Sequence, residues 1–299
     1  MSIFDKFKKQ ENKVLQQDLS KKEKPGMVFV MHLLMKEMTP MPEKEEMISL
    51  MEKHLGKVDC FSYDNQVAGL AVEKYQVQFE QGAIPPQLMI MGCCENKREY
   101  LNPLNMSQMW DCPEAEKVFE ENPYEIIVTD MMAAGLPYKD RANMLMDFME
   151  ALVELYPQCG AVYFQTSGKL MTVDKIKNHS IPRDHRFIYF AVNMRFFYIQ
   201  GTQDSVVDSL GMSTLFLPDL QYHFHGMDPN WVVNHGYNLL SYLYDNDCLI
   251  KSGETVDGIV SGEMNREVQW RCQYEEALIQ PAREVLDICM NEYAAGQRD

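Results

Sequence analysis

Apolar positions along this chain follow two periods, and one stretch carries both. Glu125–Met131 and Ala161–Gln165 are short apolar runs of strand type, and Tyr138–Tyr156 between them has helical spacing. In that helix Asp140, Asn143, Asp147, Glu150 and Glu154 form one narrow polar stripe, and nearly every other position is apolar. A surface helix shows the reverse, an apolar stripe on a polar body, so the pattern predicts a helix packed on several sides. The strand–helix–strand order predicts a parallel crossover. Thr129–Asp130, ending the first strand, stands where α/β proteins place ligands.

Upstream, Met27–Met35 is a nearly continuous apolar run, as expected of a central strand. His32 inside it reads as a core histidine bonded to a neighbour. Glu43–Leu55 has a helical face and is stopped by Gly56. Val58–Tyr63 and Val67–Phe79 read as an antiparallel pair. The apolar positions of the second change phase, which requires a bulge or bend near Glu73–Lys74. Asp111-Cys112-Pro113-Glu114 predicts a helix start with Asp111 as N-cap, a helix to about Glu121, and Trp110 stapling its first turn. With Glu125–Met131 the order becomes βαββαβ, that of a ferredoxin-like unit.

Downstream, the pattern predicts a short helix over Val173–Asn178 and one long strand over Arg186–Ile199, with Arg195 a lone charge on an apolar face. A helix runs from the Asp228–Pro229 cap to about Tyr244, a strand covers Glu267–Tyr274, and Pro281 opens a closing helix. The fold class is therefore α+β: two lobes of antiparallel or mixed sheet with packed helices, the first ferredoxin-like. The expected divisions are a charged tail over residues 1–25, a lobe over 26–134 and a second over 135–299, the two lobes sharing a core. Tyr124–Gln165 is the seam between them.

Charge changes the functional picture. The chain has 28 basic and 44 acidic residues, a net −16. Residues 1–25 contain seven lysines against four acidic residues, which leaves the body at 21 against 40, a net −19. Such a body repels phosphate backbones and so argues against nucleic-acid binding, while it favours a basic protein partner. The eight cysteines are scattered, with no paired C-x-x-C motif, and read as reduced thiols of a cytoplasmic protein. Cys93–Cys94 lacks the basic context that would make a thiol reactive. No apolar run is long enough for a transmembrane helix. The tail, with Ile3, Phe4 and Phe7 beside Lys6, Lys8 and Lys9, is expected to be mobile, and a small amphipathic membrane or partner contact is the alternative.

The richest cluster of candidate chemistry runs from Arg195 to His225: Arg195, Asp204, Asp208, Asp219, His223 and His225. A hairpin after Arg195 brings Asp204 or Asp208 against its guanidinium, and a structural ion pair is the simpler account of that. His223-x-His225 with nearby carboxylates can bind zinc or iron, and Asp219 and Asp208 complete a set for a metal-dependent hydrolase with metal-bound water as nucleophile. The competing reading is a polar-edged strand with no metal and no cofactor. Ser167-Gly168-Lys169 is a strand-end turn, too short for a phosphate loop.

Several segments together resemble an uncharacterised, mainly bacterial family, domain of unknown function 4261. They are Ile84–Pro85–Pro86, Trp110 with Pro113, the strand Tyr124–Thr129, Gly160–Phe164 with Ser167–Gly168, and Asp208-Ser209-Leu210-Gly211-Met212. Helix 228–244 and the run 253–258 extend the likeness over most of residues 27–260. The resemblance brings no known activity. The expected function is thus a non-catalytic cytoplasmic interaction protein, immunity- or chaperone-like, binding a basic protein; the alternative is the metal-dependent hydrolase.

Overall fold

The run Val30–Met35 (β1) is the middle of the first sheet, and its near-complete burial explains why it is apolar at successive positions. The computed structural model describes residues 28–296; the tail expectation for residues 1–25 lies outside them. Helix α1 (Lys44–Leu55) follows, then strands β2 (Val58–Tyr63), β3 (Val67–Val72), β4 (Val77–Phe79), β5 (Gly82–Ile84), β6 (Gln87–Met91) and β7 (Cys94–Glu95). Short helices α2 (Pro103–Ser107) and α3 (Ala115–Glu121) lead to β8 (Tyr124–Met131), helix α4 (Tyr138–Leu155), β9 (Cys159–Phe164) and β10 (Lys169–Thr172). The sheet order is β10-β9-β1-β8-β6-β3-β2, with β7 added beside β8, and every pairing is antiparallel.

β8 and β9 both run antiparallel to β1 and flank it, so they are parallel to each other with β1 between them. The crossover through α4 is therefore a split βαβ unit. The ferredoxin-like arrangement expected for the first lobe does not emerge: β8 and β6 stand between β1 and β3, and the sheet continues past residue 134 into β9 and β10. The β1 edge left open by β8 is filled by the strand that α4 returns, which ties the two halves of the chain into one sheet. The phase change at Glu73–Lys74 is a turn that ends β3 at Val72.

The second sheet follows α5 (Val173–Lys177), a 3-10 turn (Arg183–His185) and α6 (Arg186–Ala191). It comprises β11 (Asn193–Tyr198), β12 (Ser205–Leu210), β13 (Asp219–Phe224), β14 (Thr255–Val260), β15 (Glu263–Glu276) and β16 (Glu284–Cys289). Helix α7 (Pro229–Asp245) lies between β13 and β14 in sequence and packs on β11, β12 and β13; its Asp228 cap accepts from the Asn230 N–H at 2.9 Å. The order is β11-β12-β13-β16-β15-β14, with β13 and β16 parallel. One contiguous core contains side chains of both sheets and of α4.

Two expected elements are corrected. Arg186–Ile199 is not one strand: Pro182 starts a 3-10 turn, α6 follows, and only Asn193–Tyr198 is extended. Phe187, Ile188, Phe190 and Ala191 are all buried, so their apolarity carries no period. What selects the helix is Arg186, whose guanidinium reaches Asp147 and Glu150 of α4, each at 2.6 Å. The region after Pro281 is likewise a strand, β16, and not a helix. It fills the slot between β13 and β15 and is covered on both faces, so Val285, Leu286 and Ile288 are apolar without alternation.

Helix α4 lies between α1 on one side and α6 with the Met212–Leu215 turn on the other. Three residues of its polar stripe pair with neighbours. Asp147 takes Arg183 and Arg186, Glu150 takes Arg186, and Glu154 takes Lys53 and His54. Arg141, on the opposite side, is buried and donates to both oxygens of Asp130 (2.8 and 3.2 Å) and to the Thr214 carbonyl. The strand-end carboxylate of Asp130 is thereby committed to α4.

Candidate functional site

Strands β11, β12 and β13 pack one side under α7, and on the other side Arg195 of β11 and Gln221 of β13 bond the loop 277–283. On that other side the register places Arg195 of β11 opposite Asp208 of β12, Asp208 opposite Gln221 of β13, and Gln221 opposite Asp287 of β16. Four polar residues thus form one row across four strands, and all are buried. A buried charge is costly unless paired and hydrogen-bonded, so the partners decide what this row is.

Arg195 meets Asp208 in a bidentate pair, Nε to Oδ1 at 2.8 Å and Nη2 to Oδ2 at 2.5 Å. The hairpin expected to bring them together is β11–β12. A second guanidinium, Arg283, donates from Nη2 to Asp208 Oδ2 at 2.8 Å and from Nε to Asp219 Oδ2 at 3.1 Å. The other oxygen of Asp219 accepts from Ser209 Oγ and the Met212 N–H. Burial pushes the Asp219 carboxyl up, and Arg283 and these donors oppose it. For Arg283 the downward pull of burial is outweighed by Asp208 and Asp219, and a guanidinium keeps its proton in any protein setting. The cluster is an alternating Arg–Asp–Arg–Asp chain in which each charge has its counter-ion.

The loop 277–283 closes over this chain. Gln221 Oε1 accepts from the Leu278 N–H at 2.7 Å, Arg195 donates to the Gln280 carbonyl at 2.9 Å, and Arg283 donates to the carbonyls of Ile279 and Pro281. Gln221 also donates to Glu275 and Asp287, each at 3.1 Å.

The histidines stand apart. His223 lies 3.8 Å and His225 4.0 Å from Asp204, which caps the far end of the β12–β13 ladder. Asp208 and Asp219, the carboxylates expected to join them around a metal, are bound to arginines instead. The six sequence candidates therefore divide into Arg195, Asp208 and Asp219 in the clamp, and Asp204, His223 and His225 at the sheet's end. Among the described residues, no group of three or more His, Cys, Asp or Glu side chains is arranged to hold a metal ion.

Arg283, Gln221 and Asp287 complete the clamp and are not legible as site residues. Helical spacing over 281–293 separates Arg283, Val285 and Asp287, whereas the extended chain of β16 sets Val285 and Asp287 on one face. Two other sequence features also find structural partners. His32 bonds Glu125 at 2.7 Å and Gln165 at 2.9 Å, a core histidine as expected. Lys169 is buried and reaches the Val192 carbonyl, the Tyr237 hydroxyl and Asp111 within 3.1 Å. That contact also corrects Asp111: it does not cap α3, which starts after Glu114 with no side-chain cap.

What the fold and this clamp define is an α+β protein with an internal polar cluster in which Arg195, Asp208, Arg283 and Asp219 are ion-paired. Residues 208–289, from Asp208 of β12 to the end of β16, match the model of the family described as domain of unknown function (DUF4261). The match shows the resemblance for that segment and carries it beyond residue 260 to 289. No curated protein and no solved structure matches the chain. No helix among the described residues is long and apolar enough to cross a membrane.

Proposed function

We propose that this protein binds a basic protein partner without catalysing a reaction, in the manner of an immunity protein or a dedicated chaperone. The observation that carries this reading is where the acidic charge lies. Residues 208–289 contain thirteen acidic and four basic residues, close to half of the body's net charge in about a quarter of the chain. Arg283, one of the four, has its side chain buried and its charge consumed by Asp208 and Asp219. Glu263, Glu267, Glu276 and Glu284 are exposed along β15 and the start of β16, against exposed Arg266 and Arg271, so this edge is net acidic. A surface of one sign speeds encounter with a partner of the other and discourages like-charged molecules such as nucleic acids. All eight cysteines are free thiols, which fits a reducing compartment such as the cytoplasm.

The test is affinity capture with the full chain, followed by binding of the isolated partner at ionic strengths from about 0.05 to about 0.5 M. A basic protein whose Kd rises steeply over that range supports the proposal. A captured partner that is neutral or acidic, or that binds independently of salt, would sink it.

A further inference from the structure

The apolar side of the second sheet is not filled to its end. Where α7 begins, the β14–β15 hairpin and the 3-10 turn Asn291–Tyr293 stand apart from it and leave a pocket of about 280 Å³. Trp270 of β15 lines it and is only 1% exposed, while Trp231 of α7 is 37% exposed and Tyr293 half-buried. Met227 and Val268 add to the apolar lining. One residue of the lining is charged, Glu292, and it makes no ion pair with any described residue. No lysine or arginine lines it.

This is the chemistry that recognises an organic cation. Aromatic rings attract a cation through their electron-rich faces, tryptophan best of the three, and a carboxylate at the rim adds the charge term. The volume lies just below the roughly 300 Å³ at which small-molecule pockets begin, so it suits one long side chain better than a free metabolite. Gly262, in the left-handed region at φ +86°, lies against Trp231: a Cβ there would meet Nε1 at 2.9 Å. The hairpin tip thus props the exposed indole in place. On the same hairpin Glu263 and Glu267 are exposed, and Arg266 between them lies 3.9 Å from Asp257, which leaves the hairpin tip net negative.

We infer that this pocket receives a cationic side chain, lysine or arginine, of the basic protein partner. The inference rests on the proposed function and names the contact within it. The fit is charge complementarity joined to an aromatic lining: the alkyl stem lies among Trp270, Val268 and Met227, and the charged head meets Trp231, Tyr293 and Glu292.

The experiment titrates the full chain with Nα-acetyl-lysine methylamide, its arginine counterpart, and neutral Nα-acetyl-norleucine methylamide. Tryptophan fluorescence is the readout, since two of the chain's three tryptophans line the pocket. The expected result is saturation by one or both cationic amides at about 1–10 mM, with norleucine at least about fivefold weaker. Trp231→Ala and Glu292→Gln each weaken the cation by about fivefold, and Trp231→Phe restores most of it, with thermal melts confirming that each variant is folded. A purely linear fluorescence change, or norleucine binding as well as lysine, overturns the inference. Partner binding separates it from the wider reading. A basic partner that binds Trp231→Ala and Glu292→Gln at wild-type affinity refutes the pocket contact and leaves the proposed function standing. Saturable amide binding, with a captured partner that is not basic, supports the cation pocket and refutes that function.

Discussion

The two faces of the second sheet solve opposite problems. On the face under the loop 277–283, two buried arginines and two buried aspartates answer one another within the chain. On the face under α7 the surface is apolar and aromatic, and it stops short, leaving a pocket with a carboxylate at its rim. The first face is closed chemistry, charge answered by charge. The second is open chemistry, in which Glu292 has no ion-pair partner among the described residues. Where polar residues cluster is thus a poor guide to where a ligand would sit, because buried charges must be answered internally before the fold is stable.

The largest expected effect breaks the closed face. Arg283→Met leaves Asp208 sharing Arg195 alone and Asp219 without a counter-ion, and it should cost about 3–5 kcal/mol in urea unfolding. Adding Asp219→Asn should recover part of that loss, since the uncompensated charge goes with it. A loss below about 1 kcal/mol for the single variant would mean that the loop does not depend on the clamp.

A smaller effect belongs to the apolar face. His235 of α7 is buried between Tyr222 and Trp270, and its Nε2 donates to the Asp257 carbonyl at 2.8 Å. Nδ1 therefore accepts from the Tyr222 hydroxyl, also at 2.8 Å, and the ring is neutral. Burial pushes its pKa below the ordinary histidine value, although the Asp257 contact opposes this. A depressed folded-state pKa means that the contribution is fully present above about pH 6.5 and is lost as pH falls below it. The loss should approach about 1.4 kcal/mol per pH unit in that window. Urea midpoints measured on both sides of pH 6.5 for wild type and His235→Gln check it; equal acid sensitivity in both would rule out this histidine as the source. The smallest effect tests the open end. Gly262→Ala forces a left-handed alanine against Trp231 and should cost about 1 kcal/mol, while shifting tryptophan emission.

Legibility in the sequence divides along the same line. Helix α4 was readable because eighteen residues of strong period leave little ambiguity, and its narrow polar stripe correctly signalled packing on several sides. The Arg195–Asp208 pair was readable because a hairpin joins them. Arg283 was not: it lies seventy-five residues from Asp208, and only the insertion of β16 beside β13 brings them together. Elements covered on both faces, α6 and β16, lose the alternation that tells helix from strand. The pocket was hidden for a related reason. Trp231 falls inside the helix 228–244 and Trp270 inside the strand Glu267–Tyr274, and nothing local says that the core ends between them.

β16 follows β14 and β15 in the chain yet sits between β13 and β15 in the sheet. During synthesis the pieces on either side of it therefore wait with bare edges, and Asp208 and Asp219 wait without Arg283. Long-range insertions of this kind are slow, and unpaired edges invite pairing with other chains. A nascent or truncated chain lacking residues 284–289 would be a target for aggregation or proteolysis, however well its other elements had formed. Quality control of this protein would then turn on one strand: the chain becomes safe to release only when β16 has docked.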